Sequence, residues 1–168
     1  LGARLAIAFL WLVHWLPASW QSAIGALVGA GAYRLASGRR RVARRNLELC
    51  LAELDSSARD QLLRDHFRWL GRSIVERGLL WYAPRERLMR LIDVQGDVKF
   101  AERSEAPVMW LVPHFMALEA AATATQLFQS RRGATIYQQQ SSAVFDAAMR
   151  AGRERFGDSL LFSRKDSA

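Results

Sequence analysis

The sequence predicts an α/β fold with a largely parallel sheet, preceded by an apolar helical segment at the N-terminus. Three observations predict it. From Leu5 to Leu16 only His14 is polar. A basic stretch and a long helical stretch follow. Beyond Leu91, short apolar runs alternate with stretches of helical composition, the pattern of strands joined by helical crossovers.

A helix over Leu5 to Leu16 rises about 18 Å, short of the roughly 30 Å hydrocarbon core of a bilayer. A second apolar stretch, Trp20 to Leu35, is rich in Gly and Ala. The two are expected to form one bent span, a helical hairpin or a pair of interfacial helices, and residues 1–38 are read as a membrane anchor. Trp11, Trp15 and Trp20 favour the headgroup level, where indole rings sit well. A cleaved signal peptide fits poorly, because no small-x-small site follows the run and bulky Trp20 stands where cleavage is expected. The chain does not start with methionine, so a trimmed start is expected.

Arg39, Arg40, Arg41, Arg44 and Arg45 place five arginines in seven positions directly after the apolar segment. In a membrane protein such a cluster marks the cytoplasmic side and attracts anionic headgroups. Asn46 to Leu54 is expected to be helical. Ser57 and Asp60 resemble a capping box that opens the next helix, which runs to about Tyr82 and stops at Pro84. Leu63, Phe67, Leu70 and Ile74 recur at helical spacing and predict its buried face, with His66 and Trp69 beside it. A short helix is expected over Arg85 to Leu91.

Ile92 to Gln95 is a strand candidate ended by Gly96, and Asp97 to Arg103 a helix. Pro107 to Val112 is a continuous apolar run, as expected of a strand buried on both faces. Phe115 to Phe128 reads as a helix, Ala134 to Tyr137 as a strand, Val144 to Phe156 as a helix and Ser159 to Phe162 as a last strand.

Composition narrows the function. The 168 residues carry a net charge of +8. The basic residues are arginines apart from Lys99 and Lys165. A nucleic-acid binder has only this charge in its support, because the basic patch adjoins an apolar anchor and no known nucleic-acid motif accompanies it. Cys50 stands alone, which excludes a disulfide framework and is expected to be a small buried side chain on a helix. His14, His66 and His114 lie on separate segments without ligand spacing, so no metal is expected. No Gly-rich nucleotide loop is present, and no cofactor is expected.

The chemistry concentrates in Val112-Pro113-His114-Phe115-Met116-Ala117-Leu118-Glu119. A histidine at the end of an apolar run, followed by a glutamate at the start of a helix, has the makings of a general base with a carboxylate partner. A carboxylate bonded to one imidazole nitrogen sets the tautomer and leaves the other nitrogen to accept a proton. By itself this spacing is common in proteins.

Pro-His-Phe-x-x-Leu-Glu resembles the His-x4-Asp/Glu motif of the lysophospholipid acyltransferase superfamily. In its glutamate form it is similar to the bacterial late acyltransferases of lipid A biosynthesis. The segment Arg41 to Cys50, ending in Asn46-Leu47-Glu48-Leu49-Cys50, resembles a basic stretch of that family. Gly152-Arg153-Glu154-Arg155-Phe156-Gly157 and Ser163-Arg164-Lys165-Asp166 resemble two later segments. The order and spacing match along nearly the whole chain.

The resemblance implies a partial glycerolipid-acyltransferase-like sheet with flanking helices, residues 39–168 being the N-terminal part of a domain that continues in other members. It implies an O-acyltransferase that moves a fatty acyl group from acyl carrier protein to a hydroxyl of a lipid A precursor. The work would be done at the cytoplasmic face of the bacterial inner membrane. His114 is the implied base and Glu119 its partner, both catalytic. Arg153 matches a family arginine linked to activity, and Arg155 and Arg164 are further candidates for binding substrate. The segment Tyr137 to Ser142 lacks the proline that family members often carry there, which leaves the acceptor open. A glycerolipid or ornithine-lipid acyltransferase, or a non-enzymatic protein that binds anionic lipid, are the other readings.

Overall fold

The computed structural model describes residues 1–157 and 159–164, so Lys165 and Asp166 of the last family-like segment lie outside the described residues. Helices dominate: α1 (Gly2–Val13), α2 (Ala18–Leu35), α3 (Ser37–Cys50), α4 (Ser56–Tyr82), α5 (Arg85–Leu91), α6 (Phe100–Arg103), α7 (Leu118–Phe128) and α8 (Ala143–Glu154). Two strands, β1 (Ala134–Tyr137) and β2 (Leu160–Ser163), pair in parallel with Ala134 opposite Leu160 and Tyr137 opposite Ser163. The chain divides into two compact units, Leu16–Glu76 and the combination of Leu1–Trp15 with Arg77–Ala168.

In the first of these, small residues let two helices approach closely. Gly25 and Gly29 of α2 lie against the backbone of α4 at Gly71, and a Cβ at any of the three would overlap main-chain atoms. The buried stripe of α4 is therefore Leu63, Phe67, Gly71 and Val75, spaced by four. The expected face is corrected accordingly: Leu70 is half-buried and Ile74 exposed, because glycine at 71 draws the neighbouring helix onto its own side. Tyr33 meets Phe67 edge-on at 5.6 Å, and Arg40 lies over the Tyr33 ring at 5.1 Å. Arg59 donates to the carbonyls of Ala52 at 3.2 Å and Leu54 at 2.6 Å, tying down the turn between α3 and α4.

Three further expectations in this unit are corrected. The basic run belongs to α3, which stops at Cys50 instead of running on to Leu54. The start of α4 is capped by Asp55, whose Oδ1 accepts from Ala58 N–H at 2.8 Å, in place of a Ser57–Asp60 box. Cys50 is exposed because α3 buries none of its side chains, apolar Val42 and Leu49 being exposed as well.

The other unit holds the larger apolar core. Leu10 of α1, Leu80 and Trp81 of α4, Leu88 of α5, Leu127 of α7 and Met149 of α8 meet in it. Gly78 allows α4 to touch the backbone of α1 at Leu10, and Gly152 allows α8 to touch the Trp81 ring. His14, only 3% exposed, bonds the Trp11 carbonyl through Nδ1 and stacks near Trp15 and Tyr82. Arg87 donates to the His14 carbonyl at 2.5 Å.

β1, α8 and β2 make one βαβ unit, where the parallel pairing expected from the sequence appears. The rest of the expected sheet does not. Ile92 to Gln95 is irregular and turns at Gly96, where φ is +94°, a conformation suited to glycine. Pro107 to Val112 is also without ladder pairing among the described residues, and Met109 and Leu111 are 95% and 96% exposed. An apolar run becomes a buried strand only with hydrogen-bonding neighbours and covered faces, and neither is present here. The helices expected over Asp97 to Arg103 and Phe115 to Phe128 begin later, at Phe100 and Leu118.

Among the described residues no helix is long and apolar enough to cross a membrane. Exposed apolar side chains nonetheless mark the N-terminal helices: Leu5, Trp11 and Leu12 on α1, and Trp20, Leu27 and Leu35 on α2.

Candidate active site

His114 and Glu119 flank the start of α7. Pro113 interrupts the backbone before the histidine, and Phe115 N–H bonds the Pro113 carbonyl at 2.9 Å in a tight turn. Leu118 N–H bonds the Phe115 carbonyl at 3.2 Å, and the helix begins. His114 is thereby held at the surface, beside exposed Leu111 and Phe115. Glu119 falls in the first turn of α7, where the unpaired backbone N–H groups favour a negative charge.

The carboxylate of Glu119 is engaged by Arg153, 34 residues further along the chain, at the end of α8. Arg153 Nε donates to both oxygens at 3.1 Å, and its Nη2 also donates to Oε1. The pair is well covered, with side chains 23% exposed for Arg153 and 11% for Glu119. No hydrogen bond joins His114 to Glu119 among the described residues. The structure thus brings together two of the five residues picked out by sequence, Glu119 and Arg153, through a contact that sequence spacing did not reveal.

The surroundings keep this pair in place. Gln126 Nε2 donates to the Arg153 carbonyl at 2.5 Å, linking the last turn of α7 to the end of α8. Arg85 Nη2 donates to the Leu127 carbonyl at 2.7 Å and closes the C-terminal end of α7. Two arginines named with Arg153 stand apart from it. Arg155 is half-buried, its Nη1 3.4 Å from the Leu80 carbonyl and its guanidinium 4.3 Å above the Phe156 ring. Burial holds its pKa below the ordinary guanidinium value. Arg164 follows β2 and is exposed, and its N–H bonds the Tyr137 carbonyl at 3.1 Å.

Sequence reasoning passed over a buried polar pair next to these elements. Asp146, in the first turn of α8, accepts from the Tyr137 hydroxyl at 3.2 Å and from Gln140 N–H at 2.8 Å. It ties the end of β1 and the Gln138–Gln140 loop to the helix that Ser142 caps by accepting from Phe145 N–H. An open groove of about 480 Å³ runs beside it, lined by Gln139, Asp146, Arg150 and Glu154 among alanines. His114 does not line it. The only sequence signal for Asp146 is an acid within the first turn after a serine cap.

The comparisons with known proteins meet this geometry from the other side. The family profile described as bacterial lipid A biosynthesis acyltransferase matches residues 1–166. The chain belongs to the bacterial lipid A biosynthesis acyltransferase family. A lipid A biosynthesis palmitoleoyltransferase of Escherichia coli K12 is 29% identical over 157 residues, covering 92% of this chain and 51% of that protein. The lauroyltransferase of the same organism is 29% identical over 164 residues, covering 96% and 53%. A lipid A biosynthesis acyltransferase of Haemophilus influenzae is 30% identical over 125 residues, covering 74% and 39%. The chain thus spans about half the length of the curated relatives it matches. No solved structure matches.

Proposed function

We propose that the protein is an acyltransferase of lipid A biosynthesis that moves a fatty acyl group from acyl carrier protein to a hydroxyl of a lipid A precursor. The observation that carries this reading is the His114-x4-Glu119 pair at the start of α7, within a chain that matches the family along residues 1–166. His114 takes the proton of the acceptor hydroxyl as its oxygen attacks the thioester carbonyl. The tetrahedral intermediate then collapses, the carbon–sulfur bond breaks, and the imidazolium gives the proton to the departing thiolate. Ester and free thiol are the products, and no acyl-enzyme is required. Glu119 orients the imidazole and stabilises its charged form. In this reading the His114–Glu119 hydrogen bond is made only when substrate is bound, as catalytic hydrogen bonds are often long or poorly aligned before that.

The setting of His114 supports a lipid substrate. His114 is exposed, and the exposed side chains of Leu111 and Phe115 in the same short segment offer apolar surface to acyl chains. Arg164 is assigned to acidic groups of substrate. Trp11 and Trp20 on the N-terminal helices, and the arginines of α3, fit an anionic bilayer as the working surface. The assigned location is the cytoplasmic face of the inner membrane.

The test is acyl transfer by membranes from cells expressing the gene, with labelled acyl carrier protein and a lipid A precursor as acceptor. His114→Ala is expected to lower turnover by roughly 100- to 10,000-fold, the usual contribution of a general base. Turnover close to wild type in that variant rejects the assigned base. Transfer to a glycerolipid in preference to the lipid A precursor reassigns the acceptor.

A further inference from the structure

We infer that Arg153 is a positioning residue for Glu119 and that its guanidinium acts on the reaction through that carboxylate instead of gripping substrate. The inference rests on the base reading above and adds a third member to it.

The geometry argues from the edge of the guanidinium that is used. Nε and Nη2 form the side of the fork that grips carboxylates and phosphates in parallel, and both are committed to Glu119. A phosphate that sought the same edge would have to displace a partner that is only 11% exposed. The carboxylate keeps capacity for another donor. Oε1 accepts from two Arg153 nitrogens and Oε2 from one, so Oε2 retains a lone pair within the described contacts. That is the acceptor an imidazole N–H requires.

Both ends of the contact are anchored. Glu119 is in the first turn of α7, and Gln126 of the same helix holds the Arg153 carbonyl. Gly152 lies directly against the Trp81 ring, so the turn that carries Arg153 cannot shift toward α4. A carboxylate whose plane is set by a fork, on helices braced in this way, keeps one oxygen in a fixed direction, the one assigned to the histidine. A lysine would leave the plane free to rotate, because it offers a point charge in place of a fork.

The experiment measures kcat and KM for donor and acceptor in wild type, Arg153→Lys, Arg153→Gln, Glu119→Gln and the Arg153→Gln/Glu119→Gln pair, using membranes from expressing cells. Arg153→Gln is expected to lower kcat by up to roughly 100-fold, as a misplaced catalytic group does, with both KM values within about twofold of wild type. Arg153→Lys should recover part of the loss. The double variant should be no slower than Glu119→Gln, because the two residues act as one unit. If Arg153→Gln does not fold, the lysine variant carries the test, with its reduced kcat and unchanged KM. A raised acceptor KM with kcat intact overturns the inference and makes Arg153 a substrate ligand. Fully additive losses overturn it as well. Either result leaves the base assignment standing so long as His114→Ala is inactive, whereas an active His114→Ala removes the base and leaves the Arg153–Glu119 coupling to be read from the double variant.

Discussion

Gly152 of α8 faces the indole of Trp81 on α4 with no space for a methyl group between them. Trp81 is almost fully buried, also meets Phe145 edge-on at 5.7 Å, and is one of the residues around which the larger core is built. Gly152→Ala therefore forces the ring or the helix to move. We predict a loss of about 1–3 kcal/mol, the usual penalty for overpacking, against a gain of under about 1 kcal/mol from helix propensity. Chemical denaturation of the purified protein measures it, and an unchanged midpoint would show that α8 can slide. Arg153 is the next residue, so activity should fall with stability in this variant.

The buried Tyr137–Asp146 contact predicts an asymmetry between its two partners. Asp146→Ala leaves the Tyr137 hydroxyl and the Gln140 N–H without their acceptor and should cost about 1–3 kcal/mol. Tyr137→Phe removes only one donor and should cost about 1 kcal/mol, since Asp146 keeps its bond to Gln140. Thermal unfolding of the two variants compares them directly; equal effects would mean that the backbone bond to Gln140 contributes nothing.

Glu76 supplies a pH dependence. Burial raises the pKa of its carboxyl above the ordinary 4.5. Between the unfolded and the folded value the folded state binds more protons, so stability falls as pH rises through that window and stays lowered above it. Glu76→Gln removes the buried charge and should be more stable than wild type at neutral pH. The advantage should vanish as pH drops below about 4.5, where the wild-type carboxyl is neutral in both states. Denaturation midpoints of both proteins at several pH values test the sign.

The arginines of α3 divide by what they touch. Arg40 packs on Tyr33, and Arg44 pairs with Asp60 at 2.7 Å. Arg39 and Arg41 are exposed. Arg39→Gln with Arg41→Gln should weaken binding to vesicles containing anionic lipid by about 1 kcal/mol per residue, roughly 30-fold together, with little effect on stability. Vesicle co-sedimentation in low and high salt measures it. The difference should shrink at high salt, because exposed charges are screened there. Equal binding by the double variant would show that these two arginines do not bind anionic lipid.

Local features were legible in the sequence because their causes are local. The stop of α4 at Pro84, the short helix α5 and the βαβ unit from Ala134 to Ser163 follow from proline, from periodicity and from composition within a few residues. The motif around His114, with the flanking arginine segments, was enough to point to the family. Tertiary structure decided the rest. An apolar run from Pro107 to Val112 looks the same whether or not strands flank it, so only the fold shows it exposed. Cys50 looked like a core residue by type, and it is exposed because no other element among the described residues covers the apolar stripe of its helix, where Val42 and Leu49 are exposed too. The buried face of α4 turned toward Gly71 because a glycine admits another helix, an effect that hydrophobic periodicity does not register. The salt bridge from Arg153 to Glu119 joins residues 34 apart, and a contact at that separation is set by how α7 and α8 pack, which no local pattern of residues encodes.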